Sequence, residues 1–358
     1  MALIRVYPLS GIRRGTTPSL SSPPSLHSRN LLCRVSPMEA FSARSQKEPL
    51  VVIMGPTGTG KTKLSLDLAT RFSAEIINCD KMQFYKGLDI ATNKVSVEDR
   101  RGVRHHLLGE FDDRDGEVSA DNFRSLASEV IASVTERGRI PILVGGSNSY
   151  IQALVEEVPL PASDESACIE LLRQKTENDL NRLAFRYDCC FIWVDVKMPV
   201  LYEWVSRRVD EMLDAGLFEE VAKFYEPGAN YSQGVRKAIG VPEFDMFLQC
   251  FPPGSGQELS MAEERKRLFD KAVSAIKSNT CELAKKQRER IVGLEESGWK
   301  LHRIDATEVF FSGCLAHSGV SSQDSALSSP VSSRVVADIW EEMVVQPTVK
   351  IVKKFLEI

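Results

Sequence analysis

The sequence lacks the features of a membrane-spanning or nucleic-acid-coating protein. No apolar run approaches the roughly 18 residues that a transmembrane helix needs, so we expect no membrane association. The 358 residues carry a formal net charge of only −4, which excludes a basic field over the whole surface that would attract nucleic acid or anionic lipid. At 43% hydrophobic and 26% charged residues, the composition is that of a globular protein with a sizeable core.

The eight cysteines also lack the spacing of a metal site. None forms a C-x-x-C pair, and the five histidines are not spaced as zinc ligands. We therefore expect free, mostly packed thiols in a reducing compartment.

Acidic residues and lysine are missing from the first 37 residues, which instead contain five Arg and seven Ser. This composition is typical of an organelle transit peptide, and the apolar centre of a secretory signal is absent. Three prolines among the serines disfavour an amphipathic helix, so we predict a disordered plastid transit peptide that directs the protein to the chloroplast stroma. A mitochondrial targeting peptide, or a plain disordered tail, is the alternative.

Short apolar runs alternate with helical patterns up to residue 195. The predicted strands are Leu50–Met54, Glu75–Cys79, Pro141–Val144 and Cys189–Val194, and the predicted helices between them include Lys61–Phe72 and Asp121–Glu136. This alternation indicates an α/β fold with a parallel sheet flanked by helices.

The second half of the chain is predicted to be a mostly helical extension. Helices are expected at Pro199–Ala215, Leu217–Tyr225, Pro242–Gln249 and Met261–Val292, followed by a short strand at Trp299–Ile304. Residues 312–334 are rich in Ser and Gly and are interpreted as a linker. Residues 335–358 regain an apolar pattern, so we expect a helical segment that docks on the core.

A phosphate-binding motif lies between the first predicted strand and helix. It fits G-x-x-x-x-G-K-[ST] and comprises Gly55, Pro56, Thr57, Gly58, Thr59, Gly60, Lys61 and Thr62. Backbone N–H groups and the helix N-terminus would surround phosphate oxygens, Lys61 would add a positive charge, and the Thr62 hydroxyl could ligate Mg²⁺. The motif predicts a bound diphosphate or triphosphate and leaves open which bond breaks.

The position of acidic residues argues against a simple ATPase. The third strand ends in Gly145-Gly146, where an ATPase needs a carboxylate. Asp80 and Asp195 end two other strands, and either could be a metal-side carboxylate. Asp80 follows the strand after the phosphate-loop helix, so it lies in the ligand crevice of an open sheet and could act as a general base in group transfer. Small-molecule kinases use a similar placement.

A set of motifs in this order resembles the isopentenyltransferases, which transfer a dimethylallyl group to the N6 amine of an adenine. The motifs are GPTGTGKT (55–62), DKMQFY (80–85), IATNK (90–94), HHLLG (105–109), GGSNSYI (145–151), RVDEML (208–213) and AIGVPEF (238–244). Within that family, RYDCCFIWVDV (186–196) is similar to the plant adenylate isopentenyltransferases, which begin cytokinin synthesis. The resemblance implies one P-loop isopentenyltransferase domain over residues 48–311.

The resemblance also implies roles for individual residues. The phosphate loop would hold the diphosphate of dimethylallyl diphosphate, Thr57 would bond near its bridging oxygen, and Asp80 would take a proton from the amine of AMP, ADP or ATP. Weaker candidates for contacts to nucleotide or diphosphate are Lys94, Ser147, Arg236, Lys237, Lys285 and Lys286. Lys285 and Lys286 alternate with acidic residues, so a position on a solvated helix face is an equal alternative to ligand contact. For the pair His105-His106 we favour a structural role over a catalytic one.

Three alternatives to this function remain open. The other branch of the family modifies adenine in tRNA, but residues 159–188 are short, balanced in charge and without an aromatic platform for bases, so no tRNA is expected. A P-loop small-molecule kinase and a non-catalytic nucleotide-binding protein are the others. We expect a monomer.

Overall fold

The computed structural model describes residues 47–113, 116–157, 184–253, 261–317 and 333–357. They belong to one compact unit bounded by Gln46 and Ile358. The predicted transit peptide, residues 1–37, and most of the 159–188 segment lie outside the described residues. No helix in the described part is both long and apolar enough to cross a bilayer.

Six parallel strands form the sheet, in the order β3-β2-β4-β1-β5-β6. Their bounds are β1 Pro49–Met54, β2 Ala74–Asn78, β3 His105–His106, β4 Ile140–Val144, β5 Asp188–Asp195 and β6 Leu301–Asp305. The central strand β1 pairs with β4 on one side and β5 on the other, so that Val52 lies beside Leu143 and Phe191. The predicted parallel sheet is confirmed. Strands β1, β2, β4 and β5 coincide with the predicted apolar runs because both faces of the sheet are covered there, whereas the edge strand β3, formed by two histidines, was not predicted.

Helices cover the two faces of the sheet. They are α1 Lys61–Phe72, α2 Ala120–Glu136, α3 Asn148–Val155, α4 Met198–Asp214, α5 Leu217–Phe224, α6 Asp245–Cys250, α7 Ala262–Glu296, α8 Thr307–His317, α9 Ser333–Trp340 and α10 Gln346–Leu356. A π-helical turn, Glu341–Val345, joins the last two. Successive residues of β1 face opposite core layers: Leu50 and Val52 lie in one layer, Val51 and Ile53 in the other.

Helix α8 corrects the predicted start of the linker, because residues 312–317 are helical rather than part of a Ser-rich connection. The apolar residues Val309 and Phe310 anchor this helix, and the Phe310 ring packs edge-on against Trp204 with ring centroids 5.1 Å apart. The rest of the predicted linker, up to residue 332, lies outside the described residues, and Ser333 already begins α9.

The C-terminal segment packs on the core beside the phosphate-loop helix. Trp340, Val344, Val345 and Val352 are buried in the same layer as the apolar side of α1. The Trp340 indole N–H donates to Asp67 Oδ2 of α1 at 2.8 Å. This segment therefore lies against the motif that the sequence analysis singled out.

Candidate active site

The phosphate loop connects the end of β1 to the start of α1. Gly60 takes a left-handed conformation (φ 83°) and precedes α1, whose N-terminus has no side-chain cap and no acidic residue in its first turn. The loop is braced internally, because Thr59 Oγ1 and Lys61 Nζ both donate to the Pro56 carbonyl oxygen, at 2.9 and 2.7 Å. An uncapped helix N-terminus beside a lysine is an anion-binding arrangement.

Asp80 lies at the end of β2, where the buried Asn78 holds its backbone. Asn78 Oδ1 accepts from the Asp80 N–H at 3.0 Å, while Asn78 Nδ2 donates to the Leu107 carbonyl at 2.9 Å. The Asp80 carboxylate accepts from the Met82 N–H at 3.2 Å and caps a short 3₁₀ turn over residues 81–84. These bonds fix the carboxylate at the carboxyl edge of the sheet, as the sequence predicts for a base.

The charges around Asp80 are strongly desolvated. Burial raises the pKa of Asp80, and the nearby cations Lys61 and Arg208 oppose that rise only in part. Burial also lowers the pKa of Lys61 to about 8, against the opposing field of Asp80. Arg208 on α4 is affected in the same direction, because burial lowers its pKa while Asp80 favours its charged form. A carboxylate with a raised pKa beside two desolvated cations is suited to proton transfer next to an anionic ligand.

Gln287 on α7 ties the phosphate loop to the end of β4. Its side-chain oxygen accepts from the Thr57 N–H at 2.7 Å, and its side-chain nitrogen donates to the Gly146 carbonyl at 3.1 Å. Its own carbonyl accepts from Asn148 Nδ2 at 3.1 Å. Only 9% of Gln287 is exposed, so these bonds are made in the interior, where leaving them unmade is costly.

The Gly145-Gly146 pair at the end of β4 is explained by two close approaches. A Cβ on Gly145 would lie 2.6 Å from the backbone nitrogen of Asp80. A Cβ on Gly146 would lie 2.3 Å from the side-chain nitrogen of Gln287. The absence of a carboxylate here therefore reflects packing, since any side chain would push Asp80 or Gln287 out of position.

One cavity of about 510 Å³ brings these groups together. Its polar wall contains Thr57, Gly58, Gly60, Lys61, Thr62, Asn78, Asp80, Gln83 and Arg208, and its apolar wall contains Trp204, Val309, Phe310, Val336, Ala337 and Trp340. Phosphate-binding and proton-accepting groups thus share a chamber with an apolar surface contributed in part by the C-terminal segment. Such a chamber accommodates a ligand that is part phosphate and part hydrocarbon.

Four of the weaker candidates lie outside this cavity. Lys94 Nζ is held by Asp89 at 2.9 Å and by the Gly87 carbonyl at 2.6 Å, and it orders its own loop. Ser147 Oγ accepts from the Lys81 N–H at 3.0 Å, so it supports the residue after Asp80. The two remaining residues are ion-paired: Arg236 with Glu226 at 2.8 Å, and Lys237 with Glu117 at 2.8 Å.

Lys285 and Lys286 also lie outside the cavity, on the solvated helix face that was the alternative interpretation. Their side chains are 52% and 63% exposed and pair along the helix with Glu289 and Glu282, at 3.9 and 3.4 Å. The face of α7 that meets the phosphate loop carries Gln287, which the sequence analysis missed. The available signal was its lack of charge, since 285–290 reads KKQRER.

Arg208 was also missed, although it begins the RVDEML motif. Val209 does pack in the core, but Arg208 lies one position earlier and lines the cavity. A charged residue directly before a buried position of an amphipathic helix was the signal that could have identified it.

The other acidic strand end, Asp195, is not available to a metal ion. Its carboxylate is 1% exposed and is held by Arg288 at 3.0 Å and Arg303 at 2.6 Å. In the histidine pair, His106 Nε2 lies 2.7 Å from Glu75 Oε2, which fits the structural role that we favoured. His105 lines the cavity, and burial lowers its pKa.

Comparison with known proteins identifies the family. A model of the family described as IPP transferase matches residues 83–184 and 170–291. Adenylate isopentenyltransferase 1, chloroplastic, of Arabidopsis thaliana is 45% identical over 322 residues, which cover 89% of this chain and 84% of the relative. The chain belongs to the isopentenyltransferase family.

Further relatives support the assignment of this isopentenyltransferase to the family. Adenylate isopentenyltransferase of Humulus lupulus is 46% identical over 314 residues, covering 85% of this chain and 89% of the relative. Adenylate isopentenyltransferase 7, mitochondrial, of Arabidopsis thaliana is 42% identical over 330 residues, covering 91% and 86%. The resemblance inferred from the motifs is confirmed.

Solved structures support the fold of the isopentenyltransferase. A tRNA isopentenylpyrophosphate transferase from Bacillus halodurans is 30% identical with a TM-score of 0.56, covering 73% of this chain and 91% of that one. A eukaryotic dimethylallyltransferase acting on tRNA has a TM-score of 0.63 at 22% identity, covering 87% and 80%. The second likeness speaks for the fold alone, and the predicted P-loop α/β fold is confirmed.

Proposed function

We propose that this isopentenyltransferase transfers the dimethylallyl group of dimethylallyl diphosphate to the N6 amine of AMP, ADP or ATP, the first step of cytokinin biosynthesis. The observation that carries the proposal is the joining of Asp80, the phosphate loop and an apolar wall in one cavity. The named relatives, all adenylate isopentenyltransferases at 42–46% identity over most of the chain, support the same reaction.

The donor would bind with its diphosphate on the phosphate loop. Lys61 and Arg208 are among the cations that line the cavity, and the N–H groups at the start of α1 add further positive potential. When the allylic C–O bond breaks, its electron pair leaves with the diphosphate, so negative charge grows where these groups already lie. Thr57 lies on the same loop and lines the cavity, and we assign it the hydrogen bond near the bridging oxygen.

The acceptor amine would attack the carbon that the diphosphate leaves. An adenine amine is a weak nucleophile, so its placement between Asp80 and the donor carbon accounts for much of the acceleration. The amine loses a proton as the C–N bond forms, and Asp80 is the carboxylate placed to accept it. Its raised pKa brings its proton affinity closer to neutral pH, which favours that step.

The Thr62 hydroxyl fits a role in holding Mg²⁺. This ion prefers oxygen ligands and commonly binds through one protein group together with water and substrate phosphates. Thr62 lines the cavity at the first turn of α1, where a bound diphosphate would supply the remaining oxygens. When bound, Mg²⁺ would offset charge on the diphosphate leaving group.

The test is to incubate the protein with dimethylallyl diphosphate, Mg²⁺ and each adenine nucleotide, and to measure product mass. We expect one prenyl group to be added, and a loss of about 10²–10⁴-fold in rate for Asp80→Asn, which keeps the shape of the side chain. Lys285→Ala, on the exposed face of α7, is the matched control and should retain the wild-type rate. Wild-type turnover in Asp80→Asn would overturn the assignment of the base.

The same assay with tRNA as acceptor decides between the two branches of the family. If tRNA were prenylated and free nucleotide were not, the acceptor would be tRNA and not a free adenine nucleotide. A gel shift with tRNA at two salt concentrations tests the expected lack of tRNA binding, and light scattering tests the expected monomer.

We also propose a plastid location, with the mitochondrion as the alternative. The support is the composition of the first 37 residues together with relatives that are named chloroplastic and, in one case, mitochondrial. Import of a fluorescent fusion of residues 1–48 into isolated organelles tests this location.

A further inference from the structure

The buried carboxylate Asp195 at the end of β5 is bound to two arginines on different elements. Its Oδ1 accepts from Arg288 Nε on α7 at 3.0 Å, and its Oδ2 accepts from Arg288 Nη2 at 3.2 Å and from Arg303 Nε on β6 at 3.0 Å. The Asp195 side chain is 1% exposed, whereas those of Arg288 and Arg303 are 30% and 47% exposed. The proposed reaction does not use this carboxylate.

Burial of these charges does little for stability by itself. Desolvating the ions costs roughly as much as their attraction returns, and apolar residues of similar volume often serve a core equally well. The best-attested role of a buried ion pair is to fix the register of one element against another. Since Asp195 joins β5 to α7 and to β6, it can fix the position of either element.

The position of β6 is already set by the sheet, and that of α7 is not. Backbone pairing between the strands places Arg303 beside Trp193. Helix α7 packs on the core through apolar side chains such as Ile291. Apolar contacts are non-directional and tolerate a small rotation of a helix, whereas the two-point hydrogen bond between Arg288 and Asp195 has a fixed geometry.

The rotation of α7 matters because Gln287 directly precedes Arg288. Gln287 accepts from the Thr57 N–H at 2.7 Å and donates to the Gly146 carbonyl at 3.1 Å. A rotation of about 20° would move a group at the rim of the helix by about 2 Å. Such a displacement is enough to break both hydrogen bonds, so the phosphate loop depends on the rotation that Arg288 fixes.

We infer that Asp195 is a positioning residue for the diphosphate of the donor. Through Arg288 it fixes the rotation of α7, and Gln287 on that helix then holds the phosphate loop. The start of the loop meets β5 directly, since a Cβ on Gly55 would lie 2.4 Å from the Val194 carbonyl oxygen. The inference rests on the proposed function, in which the phosphate loop binds the donor.

The experiment compares Arg288→Met with Arg303→Met, each of which leaves Asp195 with one arginine. Arg288→Met should raise the KM for dimethylallyl diphosphate by about tenfold, the equivalent of one hydrogen bond of the loop, and should leave the KM for the nucleotide within about twofold. Arg303→Met is the matched control and should keep both constants within about twofold of wild type. Arg288→Lys keeps the charge but loses the two-point bond, so it should raise the donor KM by about threefold and serves if Arg288→Met does not fold.

A double substitution tests whether Arg288 acts through Gln287. If it does, Arg288→Met should change the donor KM of Gln287→Ala by less than about twofold, whereas two independent effects would multiply. A donor KM that is the same in Arg288→Met and Arg303→Met, or effects that multiply in the double variant, would overturn the inference.

Titration with inorganic diphosphate and Mg²⁺ separates this inference from the proposed function. Diphosphate binding that weakens about tenfold in Arg288→Met but not in Arg303→Met, in a protein that transfers no prenyl group, would overturn the function and retain the positioning role. Prenyl transfer with a donor KM that neither Arg288→Met nor Arg288→Lys changes would retain the function and overturn the inference.

Discussion

Replacing Gln287 by alanine tests how the phosphate loop is held in place. The change leaves two groups without their partners, the Thr57 N–H and the Gly146 carbonyl, which now bond to the glutamine at 2.7 and 3.1 Å. Each unsatisfied buried group costs about 1–3 kcal/mol, so the free energy of unfolding should fall by about 2–5 kcal/mol. For a domain of this size the melting temperature should fall by about 5–15 °C.

The same substitution should act on the donor more than on the acceptor. Thr57 lies in the phosphate loop, so loosening its backbone should raise the KM for dimethylallyl diphosphate by about tenfold or more. The KM for the nucleotide should change much less. Steady-state kinetics with each substrate varied in turn, together with thermal unfolding, measure both effects.

The matched control is Lys286→Ala, one residue away on the exposed face of the same helix. An exposed pair of this kind contributes about 0.3–0.5 kcal/mol, so this variant should be close to wild type in both assays. Equal effects of the two variants, or a Gln287→Ala protein with wild-type stability and donor KM, would refute the role given to Gln287.

Three further predictions concern charge, the C-terminal segment and the second acidic strand end. The pH profile of kcat/KM should be bell-shaped, because activity rises as Asp80 loses its proton, at a pH above the usual carboxyl range, and falls above about pH 8 as Lys61 loses its charge. Lys61→Arg should remove the alkaline fall, since arginine keeps its charge. An alkaline fall that persists unchanged in this variant would contradict the assignment to Lys61. Trp340→Ala should raise the donor KM and lower the free energy of unfolding by about 3–5 kcal/mol, because the ring packs over Gly60. Trp340→Phe should retain most of the donor affinity and most of the stability. Donor kinetics and calorimetry measure the two effects, and equal losses in the two variants would count against ring packing. Asp195→Ala should lower the free energy of unfolding by about 3–5 kcal/mol, because the carboxylate pairs with two buried or half-buried arginines. The Mg²⁺ dependence of the folded enzyme should stay unchanged. A shifted Mg²⁺ requirement would show that Asp195 binds the metal instead.

Local patterns predicted the centre of the fold well. The apolar runs at β1, β2, β4 and β5 are strands because each is buried on both faces of the sheet. The phosphate motif and Asp80 could be placed at one edge of the sheet because parallel strands bring their carboxyl ends together. Helix α8 was not predicted because its Ser and Gly residues are typical of a linker, although the apolar pair Val309 and Phe310 is buried.

The remaining parts of the site depend on contacts between distant residues. Gln287 meets Thr57 across 230 positions of the chain and Gly146 across 141. In a helix of 35 residues with charge on most sides, the sequence does not reveal which position turns inward. The resemblance suggested Lys285 and Lys286 and gave no sign of their neutral neighbour Gln287. The position of Arg208 in the site likewise depends on how α4 packs against the loop after β2.

The central claim is that the phosphate loop serves a leaving diphosphate and that Asp80 serves the attacking amine. The most direct measurement follows diphosphate, orthophosphate and prenylated nucleotide together, with ATP as acceptor. We expect one diphosphate to be released for each prenylated nucleotide formed, with the phosphates of ATP intact and both products formed about 10²–10⁴-fold more slowly by Asp80→Asn. Orthophosphate release or phosphoryl transfer from ATP, without a prenylated product, would contradict it.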